Sequence, residues 1–491
     1  MTDVMNHDHY RPQFHFTPPA NWMNDPNGMV YFEGEYHLFY QYHPGGSTWG
    51  PMHWGHAVSI DLVHWQHLPV ALAPDQNGMI FSGSAVVDWE DSSGFFGGEP
   101  GLVAIFTHAD EYPESTLPRQ RQSLAYSLDR GRTWNMYEGN PVLCNEQLTD
   151  FRDPKVFWHD ETDRWVMVLA AGDRVHLYTS INLKQWSFAS EFGAADGSHD
   201  GVWECPDLME LPVEGSPDGK SRWVLIVSIG DKPGYPEGSR TQYFIGHFDG
   251  SVFTNDYPSD TVLWLDYGRD NYAGVTWSDT PDPAVKYFIG WMSNWLYAKV
   301  TPTGEWRSAM TVPRLLSLKH GKDGIRLIQA PVSNLERLRK QPWEQLDVLL
   351  RSENNLLASL QEDVYELVCD IEVGTAAEIG FKLRKGGNDE TIVGYRIVEQ
   401  QLYLDRTRSG EISFHDSFPC THDIPHTIPG GRLRLRIFVD QCSVEVFAGD
   451  GEVVFSDLIY PDPSSRGMEL FVRGGEAQLI SLQIYPLHSI L

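Results

Sequence analysis

Short apolar runs punctuated by glycine and proline dominate this chain, and hydrophobic positions at helical spacing are scarce. Met29–Glu33, Glu35–Tyr42, Val103–Thr107, Lys155–Trp158, Trp165–Ala170, Trp223–Ser228 and Tyr287–Trp291 are rich in β-branched and aromatic residues, which predicts strands. One phrase recurs between them, as Ser59-Ile-Asp-Leu-Val-His-Trp65, Ser127-Leu-Asp-Arg-Gly-Arg-Thr-Trp134 and Ser180-Ile-Asn-Leu-Lys-Gln-Trp186. Each copy reads as a strand end, a turn and a tryptophan opening the next strand. A second phrase alternates with the first: Asp25-Pro, Asp153-Pro and Cys205-Pro each lead into a predicted hairpin. Looser copies begin at Ser82 and Tyr272. Five units result, with starts roughly 50 to 70 residues apart, the spacing of four-stranded propeller blades with insertions.

The pattern fades after about Leu327. Gln329 to Leu346 mixes proline with a short helix-like stretch and reads as a connector. Beyond it lie predicted strands at Val364–Val373, Glu378–Leu383, Thr391–Ile397, Leu433–Val439, Ser443–Phe447, Glu452–Ser456 and Glu469–Val472, which suit an antiparallel β-sandwich. The expected architecture is all-β: a five-bladed β-propeller over 1–328, a linker over 329–346 and a β-sandwich over 347–491.

Composition narrows the partners. The 491 residues carry 37 Lys+Arg against 67 Asp+Glu, a formal charge of −30, which disfavours nucleic acid and anionic membranes and fits a neutral ligand. Aromatics make up 12% of residues, with 17 Trp and 21 Tyr, enough to line a sugar-binding pocket as well as β-sheet cores. The five cysteines are scattered without a C-x-x-C pair, so neither a disulfide framework nor a zinc site is expected. His53 with His56, or His64 with His67, lacks an obvious third ligand, and no metal or cofactor is expected. Met1 to Phe16 is polar and histidine-rich, which predicts a cytoplasmic chain. A mature secreted chain placed behind a new methionine would read the same way. Oligomeric state is not legible.

Candidate chemistry follows from the repeat. Asp25 precedes a proline and is expected in extended geometry, with Pro26-Asn27-Gly28 forming a tight turn that feeds a strand. If the units are equivalent, Asp25, Ser82, Asp153, Glu204 and Tyr272 converge on the propeller axis. Three carboxyl groups around one pocket raise one another's cost of ionisation, an arrangement useful where one acid must hold a proton and another must not. Glycoside hydrolysis is the leading reaction of that kind. On this reasoning Glu204 has a raised pKa, and Asp25 stays ionised through nearby donors. Cys205 reads as a buried thiol. Asp207 is left between a leaving-group contact and a structural role.

Trp22-Met-Asn-Asp-Pro-Asn-Gly28, Phe151-Arg-Asp-Pro154 and Trp203-Glu-Cys-Pro206 resemble the signature blocks of glycoside hydrolase family 32, which holds invertases, levanases and inulinases. The resemblance continues through Phe39–Pro44, Trp54–Ser59, Phe81–Ser84, Gly290–Trp295, Trp306–Thr311 and Val439–Phe447, covering both expected domains in order. It implies that Asp25 is a nucleophile, Glu204 the acid and base, and Asp153 a stabiliser of the transition state kept ionised by Arg152. It further implies that Trp22, Asn24, Gln41, Trp49, Phe81, Ser82, Arg152, Tyr272 and Trp291 bind substrate. The implied activity is a cofactor-free, retaining β-fructofuranosidase that releases fructose from sucrose and related β-fructosides, with transfer to other acceptors open to it. An exo-levanase or exo-inulinase would use the same residues. A non-catalytic fructan-binding relative is the reading from another class, and the presence of Asp25, Asp153 and Glu204 together argues against it.

Overall fold

The computed structural model describes residues 7–215, 220–353 and 355–491. Its first part is a ring of five antiparallel blades. Blade 1 runs Asn21–Phe32, Glu35–His43, His53–Ser59 and Gln66–Leu72. Blade 2 runs Met79–Asp88, Gly101–Glu111, Pro118–Ser127 and Asn135–Met136. Blade 3 runs Phe151–His159, Arg164–Ala171, Val175–Ser180 and Ser187–Phe192. Blade 4 runs Trp203–Glu214, Ser221–Ile229, Arg240–Phe248 and Phe253–Asn255. Blade 5 runs Tyr272–Thr276, Lys286–Met292, Arg314–Gly321 and Gly324–Pro331.

Burial explains the sequence gradient across a blade. The second strand of blade 2, GLVAIFTHADE, is packed on both faces and reads as a continuous apolar run. The fourth strand of blade 1, QHLPVAL, is largely exposed and tolerates polar residues and proline. The recurring phrase forms the corner between third and fourth strands. Asp61, Asp129 and Asn182 each accept backbone N–H groups there, from Val63 and His64, from Thr133, and from Lys184 and Gln185. Trp65, Trp134 and Trp186 each stand immediately before the fourth strand.

Ring closure is made by Trp306–Arg307, which pairs in parallel with the first strand of blade 1, Asn21 opposite Trp306. The expected linker is shorter than 329–346 at both ends. Blade 5 extends to Pro331, a 3-10 helix spans Ser333–Leu338, and the next strand, Trp343–Leu350, already belongs to the sandwich. The sandwich packs a six-stranded sheet on a five-stranded one around buried Leu, Ile, Val and Phe side chains. Four of its strands, Trp343–Leu350, Gln401–Arg408, Thr421–Pro425 and Ala477–Pro486, were not anticipated, because charged and polar residues interrupt their alternation.

The two parts are fastened by buried charge as well as by apolar contact. Arg314 of blade 5 donates to Asp266, Gln329, Glu445 and Ser456. His15 sits between Asp440 and Glu445, 2.7 and 2.9 Å away, and its pKa is raised to about 9 by those two carboxylates despite burial. Asp440 and Glu445 both come from the stretch Val439–Phe447, so that block serves as an interdomain clamp.

Candidate active site

Each innermost strand loses register with its neighbour at one equivalent place. The interruptions fall between Met23 and Pro26, Ile80 and Gly83, Arg152 and Lys155, Glu204 and Asp207, and Tyr272 and Val275. At each, two residues oppose one on the partner strand, which defines a β-bulge. A bulge breaks strict alternation, so neighbouring side chains can be aimed at the same axis. Pro154 and Pro206 lie in these bulges, where a missing N–H costs no ladder bond.

This corrects two expectations. Asn-Asp-Pro-Asn-Gly is no turn ahead of a strand; it lies within the strand Asn21–Phe32, which is bulged a second time between Asn27 and Val30. Gly28 is required there, since its φ is +54° and an added Cβ would stand 2.5 Å from the Phe39 ring. The five axial residues are also not strictly equivalent. Asp25 and Ser82 are the second residue of their bulges, Asp153 is the first, and Glu204 and Tyr272 precede theirs. Asp153 and Cys205 hold left-handed φ values of +65° and +47°, strain of the kind kept at functional sites.

The structure brings the three predicted carboxyl groups together. Ser82 Oγ donates to Asp25 Oδ2 at 2.6 Å, and Asn24 Nδ2 donates to Asp25 Oδ1 at 2.9 Å. Asn24 is oriented in turn by Trp22 Nε1, 2.7 Å from its Oδ1. The Cys205 N–H donates to Asp153 Oδ2 at 3.0 Å, and Cys205 Sγ lies 3.6 Å from both Asp25 and Asp153. Glu204 accepts from Arg152 at 2.9 and 3.1 Å and from the Tyr272 hydroxyl.

Electrostatics depart from the expected assignment. Burial raises Asp25, while Ser82 and Asn24 pull it back and the charge of Glu204 adds to the rise. Asp153 is pushed up to about 7, chiefly by burial, with Arg152 opposing and Glu204 and Asp25 reinforcing. Arg152 is thus the largest force holding Asp153 down, as expected, but it acts through charge and not through a hydrogen bond. Its guanidinium is directed at Glu204 and Asp150, the latter at 2.6 Å, and comes no closer than 4.0 Å to Asp153. The bulge residue Asp153 turns away from the preceding side chain, and Glu204 from the next blade fills the fork instead.

The predicted aromatic contacts divide into two groups. Trp22 and Trp291 have no exposed surface; their rings lie 6.1 Å apart behind the carboxylates and support them. Trp49 is 39% exposed, with its ring edge-on to Phe81 at 6.2 Å, and is available to a ligand. Gln41 is buried and ties blade 1 to blade 2 through Asn27 and the carbonyl of Ile80. Asp207 proves structural: it is fully buried and accepts from the backbone and hydroxyl of Thr276. The histidines considered for metal diverge, His56 meeting His37 at 3.1 Å and His64 meeting Asp61 at 2.9 Å. Gln120, Asp150 and Thr107, which hold Arg152 and the Asp153 backbone, were missed. Asp150 had a signal, two residues before Arg152 and so on the same side of an extended chain; the other two had none.

Fold and site together define a β-propeller hydrolase with a carboxyl-lined axial pocket. Residues 15–331 match the N-terminal domain of glycosyl hydrolases family 32, and residues 334–486 match its C-terminal domain. The chain belongs to glycoside hydrolase family 32 and is a glycoside hydrolase acting on β-fructosides. It is 54% identical to a levanase of Bacillus subtilis, over 98% of this chain and 71% of that protein. It is 41% identical to an extracellular exo-inulinase of Aspergillus ficuum, over 99% and 96% of the two chains. Among solved structures, exo-inulinase from Aspergillus awamori superposes with a TM-score of 0.90 at 38% identity, covering 98% and 99% of the chains. A β-fructofuranosidase of Schwanniomyces occidentalis complexed with fructosyl-erythritol gives 0.88 at 30% identity, covering 99% of each.

Proposed function

We propose that the enzyme removes terminal fructose units from β-fructan chains, levan foremost, by a retaining double displacement, and that sucrose is a secondary substrate. The observation that carries the exo reading is the closed floor of the pocket. Below the carboxyl groups, the space among Pro26, Asn27, Ser84, Pro154 and Pro206 is a void of about 10 Å³, room for no more than one water. A chain cannot thread through the axis past the acids, which supports end-on entry. Preference for a fructan over sucrose is supported by the similarity to a levanase along nearly the whole chain.

In this reading Asp25 attacks the anomeric carbon of the terminal fructosyl unit, its two oxygens held by Ser82 and Asn24. Glu204 delivers a proton to the departing oxygen, then removes one from the water that releases fructose. The Tyr272 hydroxyl suits both stages, because a phenol donates to the carboxylate and accepts from the carboxylic acid. Asp153, buried and raised to about 7, offers hydrogen bonds to fructose hydroxyls and a negative charge beside the developing cation once ionised.

Product analysis with levan, inulin and sucrose tests the proposal. Fructose is expected as the sole early product from levan, with kcat/KM ranked levan, inulin, sucrose. Early release of longer oligosaccharides would overturn the exo assignment, and a higher kcat/KM on sucrose than on either polymer would overturn the substrate assignment.

A further inference from the structure

The axial channel has a second mouth that the fructoside site does not use. Toward the far ends of the inner strands, blades 2 to 5 enclose a cavity of about 820 Å³. At about 3.3 Å per residue, the six-residue run from Asp153 to His159 places its rim roughly 20 Å from the carboxyl cluster. The filled axis described above separates the two.

The inner wall of this cavity offers an unused polar group. Asp207 lies fully buried behind that wall, paired with Lys155 Nζ at 3.3 Å, and fixes the charge of the wall without reaching the space itself. Lys286, also on the wall, makes no hydrogen bond or close ion pair among the described residues. Lys286 thus presents an unpaired donor to a space of a size typical for ligand sites.

The rim supplies aromatic faces. Trp89 is 53% exposed and Trp158 41%, a costly display for two of the largest apolar side chains. Both are held in place. Trp89 Nε1 donates to Asp279 Oδ1 at 2.9 Å, and Trp158 packs edge-on against Trp165 at 5.2 Å. Fixed, solvent-facing indoles suit the C–H faces of pyranose or furanose rings, with hydroxyls turned to the polar wall. Glu90, Asp160 and Glu161 around them repel anionic polymers, which leaves an uncharged polyhydroxyl ligand.

We infer that this mouth binds a neutral oligosaccharide. Resting on the function proposed above, it is a second segment of β-fructan, held apart from the segment being hydrolysed. Tethering the polymer there raises the local concentration of chain ends at the pocket on the opposite face.

Calorimetric titration of the full-length Asp25→Ala protein with a four-unit fructo-oligosaccharide tests the assignment. Maltotetraose serves as a second neutral saccharide. Two sites per chain are expected for the fructo-oligosaccharide, and Trp89→Ala/Trp158→Ala in the same background should weaken one of them at least tenfold. Both tryptophans are solvent-exposed, and unchanged melting temperatures verify the fold. A single site for the fructo-oligosaccharide with no binding of maltotetraose, or two sites indifferent to the double substitution, overturns the inference. Binding of maltotetraose alone at the tryptophan-dependent site keeps a saccharide site and overturns the fructan ligand. Fructose release from levan and sucrose by the native enzyme is scored separately, so failure of the hydrolase reading is distinguishable from failure of this one.

Discussion

The contact between Ser82 and Asp25 measures what keeps the proposed nucleophile ionised. Burial drives Asp25 upward, and the Ser82 hydroxyl is the largest force opposing that rise. Ser82→Ala deletes a 2.6 Å hydrogen bond while keeping the backbone and most of the side-chain volume. A hydrogen bond to a charged group contributes about 1.5–3 kcal/mol. At about 1.36 kcal/mol per factor of ten, its loss lowers the ionised fraction at acid pH by about ten- to hundredfold. The sign is set by which form the donor favours. Ser82 stabilises the carboxylate, so removing it raises Asp25 further and moves the acid limb of kcat/KM to higher pH. Above the new limb Asp25 is ionised again and most activity returns. The assay is kcat/KM for fructoside hydrolysis from about pH 4 to about pH 8 for both proteins, with melting temperatures alongside. A uniform loss at every pH with the limb unmoved would refute the reasoning, since Ser82 would then orient Asp25 without controlling its charge.

Three further outcomes are expected. Asp25→Asn abolishes turnover, by a factor on the order of 10⁴ or more, without lowering the melting temperature; appreciable residual hydrolysis after deamidation is excluded would remove Asp25 from the nucleophile's role. Tyr272→Phe withdraws a donor from Glu204 and lowers kcat about ten- to hundredfold, readable in single-turnover kinetics; an unchanged kcat would show that the hydroxyl has no part in proton transfer. The His15 clamp makes stability depend on pH. Because its folded pKa is raised from 6.5 to about 9, its contribution is complete below 6.5 and is lost as pH climbs through about 9. That displacement corresponds to roughly 3 kcal/mol. The native melting temperature should therefore fall between neutral and alkaline pH more steeply than that of His15→Gln. His422, raised to about 10 by its buried partner Asp457, leaves a residual slope in both proteins. Parallel curves for the two proteins would exclude the clamp.

Much of the architecture was legible because its signals are local. A turn closed by Asp61, Asp129 or Asn182 and followed by tryptophan is written in seven or eight consecutive residues, so three of the five blades carry a local mark. The acid–proline dipeptides marked the innermost strands for the same reason, and with them Asp25 and Asp153. Pairing decided the rest. Whether Asp25 sat on a turn or in a bulge depended on the strand Glu35–His43 aligning beside it, and no residue of the block itself reports that.

The site's electrostatics belonged mostly to the tertiary structure. Arg152 is adjacent to Asp153 in sequence, so adjacency suggested an ion pair, yet its fork reaches Glu204, 52 positions away. Trp22 and Trp291 had the composition of sugar-binding residues, and only the packing of blade 1 on blade 5 showed that they carry no exposed surface. Asp207 could not be assigned until blades 3 and 5 placed Lys155 and Thr276 against it. The sequence by itself determined which residue types line the axis and how many blades carry them. The tertiary structure decided which carboxyl receives which donor, because a charge is set by its neighbours in space, and apart from Asn24 beside Asp25 the donors to these carboxyls come from another blade.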